Sequence, residues 1–147
     1  MSKTRFAIAL LAGLGAADSL YMLAYEEGWI HSLACPFFGE GCNRVGSSRH
    51  ARHFGVPNAL VGVLGYASLA GLALARPQTP AWNARRRQTL LAISLAAATA
   101  GVYLTWEQKT KVRHWCFWCL TSTAISLAIV PLAGFSKTES SGHNAQH

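Results

Sequence analysis

The sequence predicts an all-α integral membrane protein: a four-transmembrane-helix bundle with a long non-cytoplasmic loop between helices 1 and 2. Three observations carry that prediction. Hydrophobic residues make up 51% of the 147 and charged residues only 13%, and the apolar ones come in long blocks rather than in alternation. The basic residues behind the net charge of +7 sit in short clusters flanking those blocks, where membrane helices are anchored. Residues 26–56 form one long polar stretch that spans nothing. The charge pattern has no basic groove or stacking array, which argues against nucleic-acid binding.

The first helix is expected over 6–25, behind Lys3 and Arg5. A basic start followed by Gly15-Ala16-Ala17 also fits a signal peptide. Apolar character resumes beyond Asp18, however, so an uncleaved spanning helix is the better reading. Asp18 inside it needs a polar partner or a wet cavity, because a carboxylate in lipid is costly.

The loop that follows is the longest connection, and loops of that length are usually functional or disordered. It carries Cys35-Pro36, Gly39, Gly41 and Cys42, and aromatic and apolar residues that suggest a lid on the membrane surface. Residues 47–54 are expected to form a short interfacial helix capped by Ser47 or Ser48. Pro57 suits the first turn of the second helix, 57–75, where Gly62, Gly65, Ala67, Ser68 and Gly71 allow close helix approach. Asn58 stands at its mouth. Arg76-Pro77 and the Arg85 to Arg87 cluster read as a turn, followed by the third helix over 90–106 and the fourth over 116–135. The polar tail 136–147 is expected to be disordered.

Four spans place both termini on one side, and the long loop with the 107–113 connection on the other. The Lys and Arg counts on the two sides are nearly equal and do not orient the chain. The cysteines do: Cys35, Cys42, Cys116 and Cys119 all fall on one side, and thiols that cycle as disulfides belong in an oxidising compartment.

Cys116-Phe117-Trp118-Cys119 opens the last apolar block. Positions three apart share a helix face, and a helix start lowers a thiol pKa through its positive dipole end. The spacing of Cys35 and Cys42 is a poor match to zinc ligation, and no metal is expected. Two dithiols on one membrane face can pass an oxidising equivalent through mixed disulfides. The two-electron carrier that lives in a bilayer and reacts with thiolates is a quinone. Asn58, Ser48 and the hydroxyls Thr121, Ser122 and Thr123 could hydrogen-bond its carbonyls. A static loop disulfide in a tetraspan structural or adhesion protein is the alternative of another class, and it leaves Cys116 and Cys119 unexplained.

Cys42-Asn43-Arg44-Val45-Gly46-Ser47-Ser48-Arg49, then Phe54-Gly55, Asn58, Val102-Tyr103-Leu104 and Cys116-Phe117-Trp118-Cys119 resemble the vitamin K epoxide reductase family. The resemblance runs from the first helix to Phe135, and its strongest element is the order of a loop cysteine pair before a Cys-x-x-Cys on the last helix. The bacterial quinone-coupled disulfide-bond oxidase, similar in logic, has its Cys-x-x-Cys in the first loop instead. The resemblance implies a four-helix bundle around a quinone of ubiquinone, menaquinone or vitamin K type. Cys119 would face the ring and attack it or form a charge-transfer contact, Cys116 would exchange with Cys42, and Cys35 would engage the partner. Ser48 and Asn58 match quinone-site positions of the family. Thr123 stands where animal members carry a tyrosine, and reaches less far. The partner implied is a separate thioredoxin-like secreted or periplasmic protein, with the chain in a bacterial inner membrane and its cysteines on the periplasmic side. Quinone or epoxide reduction in a vitamin K cycle is the alternative use of the same parts.

Overall fold

The structure is a computed structural model that describes residues 3–76 and 78–145, with side chains described to residue 135. It is mostly helical: α1 (Lys3–Glu26), α2 (Gly41–Ser47), a 3-10 turn (Arg49–Ala51), strands β1 (Arg52–His53) and β2 (Val56–Pro57), α3 (Asn58–Leu74), α4 (Pro80–Glu107), a π-helical turn (Gln108–Val112) and α5 (Phe117–Ala145). Lys3–Glu26, Pro80–Val112 and Phe117–Phe135 are long and apolar enough to cross a membrane, and Asn58–Leu74 is a shorter apolar helix. At 1.5 Å per residue its 17 residues reach about 26 Å, a little under the hydrocarbon thickness of about 30 Å. The molecule has the build of an integral membrane protein.

α1 packs on α3 and α5, and α4 packs on α5, while α3 and α4 touch much less. Small residues set these spacings. A β-carbon on Gly15 would meet the Tyr66 ring at 2.6 Å, and one on Gly62 would meet Ser19 Oγ at 2.5 Å. Large side chains on the other side of α1, Phe6, Leu10 and Leu14, remain exposed, which suits a lipid-facing surface. One core, of Ile8, Ala12, Tyr66, Leu69, Ala73, Leu90, Ile129 and Ala133, fills one end of the bundle. A second, around Met22, Leu23, Leu33, Val45 and Ala59, holds Cys42 and Cys116 at the other.

Several boundaries differ from expectation. α4 starts at Pro80 rather than residue 90, because Thr79 Oγ1 accepts the Trp82 amide at 3.1 Å and Pro80 occupies the first turn. Its arginines are therefore helical, not a turn. Arg86 is buried and donates to the Ala75 carbonyl at 3.0 Å, and Arg5 donates to Ala73 at 3.0 Å and to Ala75. Two cations from flanking helices thus satisfy the last carbonyls of α3.

The longer loop helix lies over Gly41–Ser47, and within 47–54 only the 3-10 turn Arg49–Ala51 forms, with Ser48 at its N-cap position. Ser48 makes no cap bond to the following turn, since its hydroxyl donates back to Val45 O at 2.8 Å. The chain then forms a two-residue hairpin, with Phe54 (φ 56°) and Gly55 (φ 79°) both left-handed as a type I′ turn requires. Pro57 caps α3 from outside. The loop between α1 and α2 is tied down: Leu33 N donates to Asn43 Oδ1 at 2.8 Å, Ala34 N to Tyr21 OH at 2.9 Å, and Trp118 Nε1 to Ala34 O at 2.5 Å. α5 continues to Ala145 through the stretch read from sequence as a disordered tail, and residues 146 and 147 lie outside the described residues.

Candidate functional site

A helix begins with amide N–H groups that have no partner within the helix, and at α5 sulfur atoms take them. Phe117 N donates to Cys42 Sγ at 3.3 Å and Cys119 N to Cys116 Sγ at 3.2 Å. The Cys116 amide in turn donates to Gln108 Oε1 at 2.9 Å. Cys116 stands just before the helix, where a Ser or Asp side chain usually caps, and its sulfur accepts the amide that such a cap would. Cys42 comes from α2, a separate element. It reaches this point because residue 41 has no side chain: a β-carbon there would overlap the Trp115 carbonyl oxygen.

Cys35 and Cys42 are joined in a disulfide with Cα atoms 5.7 Å apart, while Cys116 and Cys119 are free thiols. Cys42 and Cys116 are both fully buried in one cluster, with Cys35 and Cys119 packed at its edge. All four predicted cysteines are therefore brought to one end of the bundle. Amide N–H groups aimed at Cys42 and Cys116 stabilise negative charge that develops on either sulfur when a disulfide opens. Aromatic rings wall this junction. Tyr21 meets Trp118 edge-on at 5.1 Å between centroids, Phe117 meets Trp118 at 5.2 Å, and Phe37 lies 6.1 Å from Phe117.

Below the junction lies a cavity of about 460 Å³ between α1, α3, α4 and α5, roofed by α2 and the 3-10 turn. Ala96, Ala97, Ala100 and Gly101 of α4 form an apolar wall, and Cys119, Ser122, Thr123 and Ser126 of α5 form a more polar one. Cys119 thus borders both the sulfur junction and the cavity. Cys116 is not among the lining residues.

The other predicted residues fall differently. Asn58 lines the cavity, with Oδ1 2.9 Å from His53 Nδ1 and Nδ2 donating to His50 O at 2.7 Å. Thr123 also lines it, but donates its hydroxyl to Cys119 O at 3.0 Å and sits 3.5 Å from Thr105 Oγ1. Ser48 is not brought to this cavity. It borders a separate outer pocket with Arg44, Ser47, Arg49, His50, Lys111, Val112 and His114. Asp18 lines the main cavity, and neither of its carboxylate oxygens has a hydrogen-bond partner among the described residues.

Sequence reasoning missed two features. Tyr66 OH meets Ser122 O at 2.5 Å, Ser122 Oγ at 2.9 Å and Ser126 Oγ at 2.7 Å, closing the inner end of the cavity. At the outer end, Glu107 is buried, with Oε1 3.3 Å from His50 Nδ1 and Oε2 3.5 Å from His53 Nε2. The available signal was a lone acid closing an apolar block, in a chain with only six Asp and Glu.

Two cysteine pairs meet at one end of the bundle, and Cys119 of the inner pair reaches an apolar chamber lined by residues from Asp18 to Ser126. The family model for the vitamin K epoxide reductase family matches residues 6–133. That match contains all four cysteines and every wall of the cavity, and the chain belongs to the vitamin K epoxide reductase family.

Proposed function

We propose that the chain is a quinone-dependent thiol oxidoreductase that takes electrons from a partner dithiol through Cys35/Cys42 to Cys116/Cys119 and on to a membrane quinone, supporting disulfide formation. Family membership carries the broader statement, a membrane redox function. The observation that supports the finer one is the position of Cys119, bonded through its amide to Cys116 Sγ at 3.2 Å while lining the cavity.

The relay has two exchanges. A partner thiolate attacks Cys35 Sγ, the Cys35–Cys42 bond breaks, and Cys42 leaves as a thiolate. The partner's second thiol then releases Cys35, so the partner leaves oxidised and the loop pair reduced. Cys42 next attacks Cys116 of a Cys116–Cys119 disulfide, and Cys35 closes back on Cys42. The outcome is an oxidised loop pair beside two inner thiols, the arrangement seen in this structure.

A quinone in the cavity supplies a two-electron, two-proton acceptor. The residues fit one. The chamber is largely apolar, Cys119 offers a thiol, and Asn58 keeps one amide N–H beyond the bond it gives His50. Thr123 forms part of the wall, with its proton committed to its own helix. Ser48, outside the cavity, would act on α2 and the turn rather than on the quinone. In this reading α3 is the fourth membrane span, the cysteine end faces the periplasm, the membrane is a bacterial inner membrane, and the partner is a separate thioredoxin-like protein.

Thiol trapping in native membranes tests the reading. Depleting quinone should leave all four cysteines reduced once partner dithiol is supplied, and restoring quinone should reoxidise them. An unchanged redox state under both conditions would falsify it.

A further inference from the structure

Glu107 is an expensive group to hold where it is. It ends α4 at 5% exposure, and a carboxylate near the hydrocarbon persists when it is paired or serves an ion path. Its two oxygens are treated differently. Oε1 lies 3.3 Å from His50 Nδ1, whereas Oε2 faces His53 Nε2 at 3.5 Å and has no hydrogen-bond partner among the described residues. His53 is steadied from behind by Asn58 Oδ1 at 2.9 Å, and Asn58 by His50 O at 2.7 Å.

His50 is the member that connects two spaces. It lines the main cavity and also the outer pocket, with its side chain 23% exposed. Glu107 lines the main cavity alone. An imidazole can accept a proton on one nitrogen and release one from the other, so this pair reaches from outside water to the cavity wall.

We propose that Glu107 and His50 form a proton relay between the outer pocket and the cavity, Glu107 delivering protons inside and His50 restoring them from water. The proposal rests on the thiol–quinone reading and says how its protons travel. Oxidising Cys116 and Cys119 breaks two S–H bonds and forms one S–S bond. Two electrons leave the sulfurs, and two O–H bonds form on the acceptor. Cys119 can give its proton within the cavity. Cys116 is fully buried and absent from the cavity wall, so its proton is released to outside water rather than into the cavity, and the proton that His50 takes up from that water replaces it. Glu107 supplies the second proton to the cavity, and His50 reprotonates Glu107, which balances the reaction.

The titratable groups facing Glu107 are His50 on the 3-10 turn, His53 on β1 and Tyr103 on its own helix, whose ring lies 6.3 Å from that of His53. Asp18 and Glu26 of α1 and Cys119 of α5 share the cavity. Asp18 and Glu26 are the competing proton donors.

The test mixes the full-length protein, reduced at Cys116 and Cys119, with a short-chain ubiquinone, and follows disulfide formation by rapid acid quench and thiol trapping. Glu107→Gln should slow the reaction about 100-fold and flatten its pH profile, while Glu107→Asp keeps a pH-dependent rate. His50→Gln should slow it roughly tenfold, with recovery when imidazole is added to the buffer. Infrared difference spectra of the quinone-free protein between acid and alkaline pH give a second readout: a carboxyl band that Glu107→Gln removes. A wild-type rate and profile in Glu107→Gln overturn the relay. So does a carboxyl band that survives in Glu107→Gln and disappears in Asp18→Asn or Glu26→Gln. Failure of imidazole to rescue His50→Gln removes His50 from the path. A wild-type protein whose thiols ubiquinone does not oxidise at any pH overturns the thiol–quinone reading instead, and the infrared band still decides whether Glu107 titrates.

Discussion

Gly41 lies against the carbonyl oxygen of Trp115 so closely that no side chain fits between them. The obstacle is backbone, which cannot swing aside as a flexible side chain can. This contact sets the distance between α2 and the start of α5, and so between Cys42 and Cys116. Gly41→Ala should displace α2 and slow disulfide exchange between the two pairs tenfold or more, on the order of 1.4 kcal/mol in the barrier. Oxidation of already reduced Cys116 and Cys119 by quinone should be little changed. Stopped-flow quenching with thiol trapping separates the steps, and an unaltered exchange rate would show that the contact does not set the distance.

The division of labour between the pairs is open to serine replacement. Cys119→Ser should abolish quinone reduction. Cys35→Ser should block oxidation of a protein partner while leaving reduction by a small dithiol largely intact, because a small dithiol can reach the inner pair without docking. Equal loss of the small-dithiol reaction in both variants refutes the assigned order.

Asn58→Ala should raise the quinone concentration needed for half-maximal rate by about tenfold, as expected for a lost hydrogen bond of about 1 kcal/mol together with a loosened His53. Thr123→Ala should change it less, because Thr123 already donates to Cys119 O. Steady-state titration with a short-chain ubiquinone measures both. A larger effect at Thr123 than at Asn58 would reverse their ranking.

Tyr66 joins α3 to α5 through Ser122 and Ser126 and requires Gly15 beneath its ring. Tyr66→Phe should cost about 1–3 kcal/mol, since the serines lose a buried partner. Gly15→Ala should cost about 1–3 kcal/mol by overpacking. Thermal unfolding in detergent should show both, and the pair should be non-additive because the residues touch. Simple additivity would indicate that the contact carries no strain.

Arg86→Met keeps the apolar stem and removes the donor to Ala75 O. The end of α3 should loosen, at a cost of about 1.5–3 kcal/mol for a bond to a charged group. Faster amide hydrogen exchange confined to the last turn of α3 checks this against global destabilisation.

Much of this protein was legible before any fold was known. Apolar blocks flanked by basic residues disclosed membrane helices, and the order of the two cysteine pairs disclosed the family. These signals are local: a helix in lipid is specified by its own run of apolar residues, because its backbone bonds close within the segment. Boundaries were harder where a charge interrupts the run. Arg86 interrupts an apolar pattern in sequence, yet it lies inside α4, where its charge is accommodated by donating to the Ala75 carbonyl at the end of α3.

The site was only half legible for the same reason. Cys116 and Cys119 are three residues apart and announce themselves, and Asn58 stands at a helix start. The approach of Cys42 to Phe117 N, the gathering of His50, His53 and Glu107, and the exclusion of Ser48 from the cavity depend on how α2 and the hairpin fold over the bundle. By itself the sequence determined the membrane helices, the two dithiols and their order. Tertiary structure alone decided which polar groups meet at the cavity, because contacts between residues distant in the chain follow from packing and closure of the loop, and no spacing encodes them.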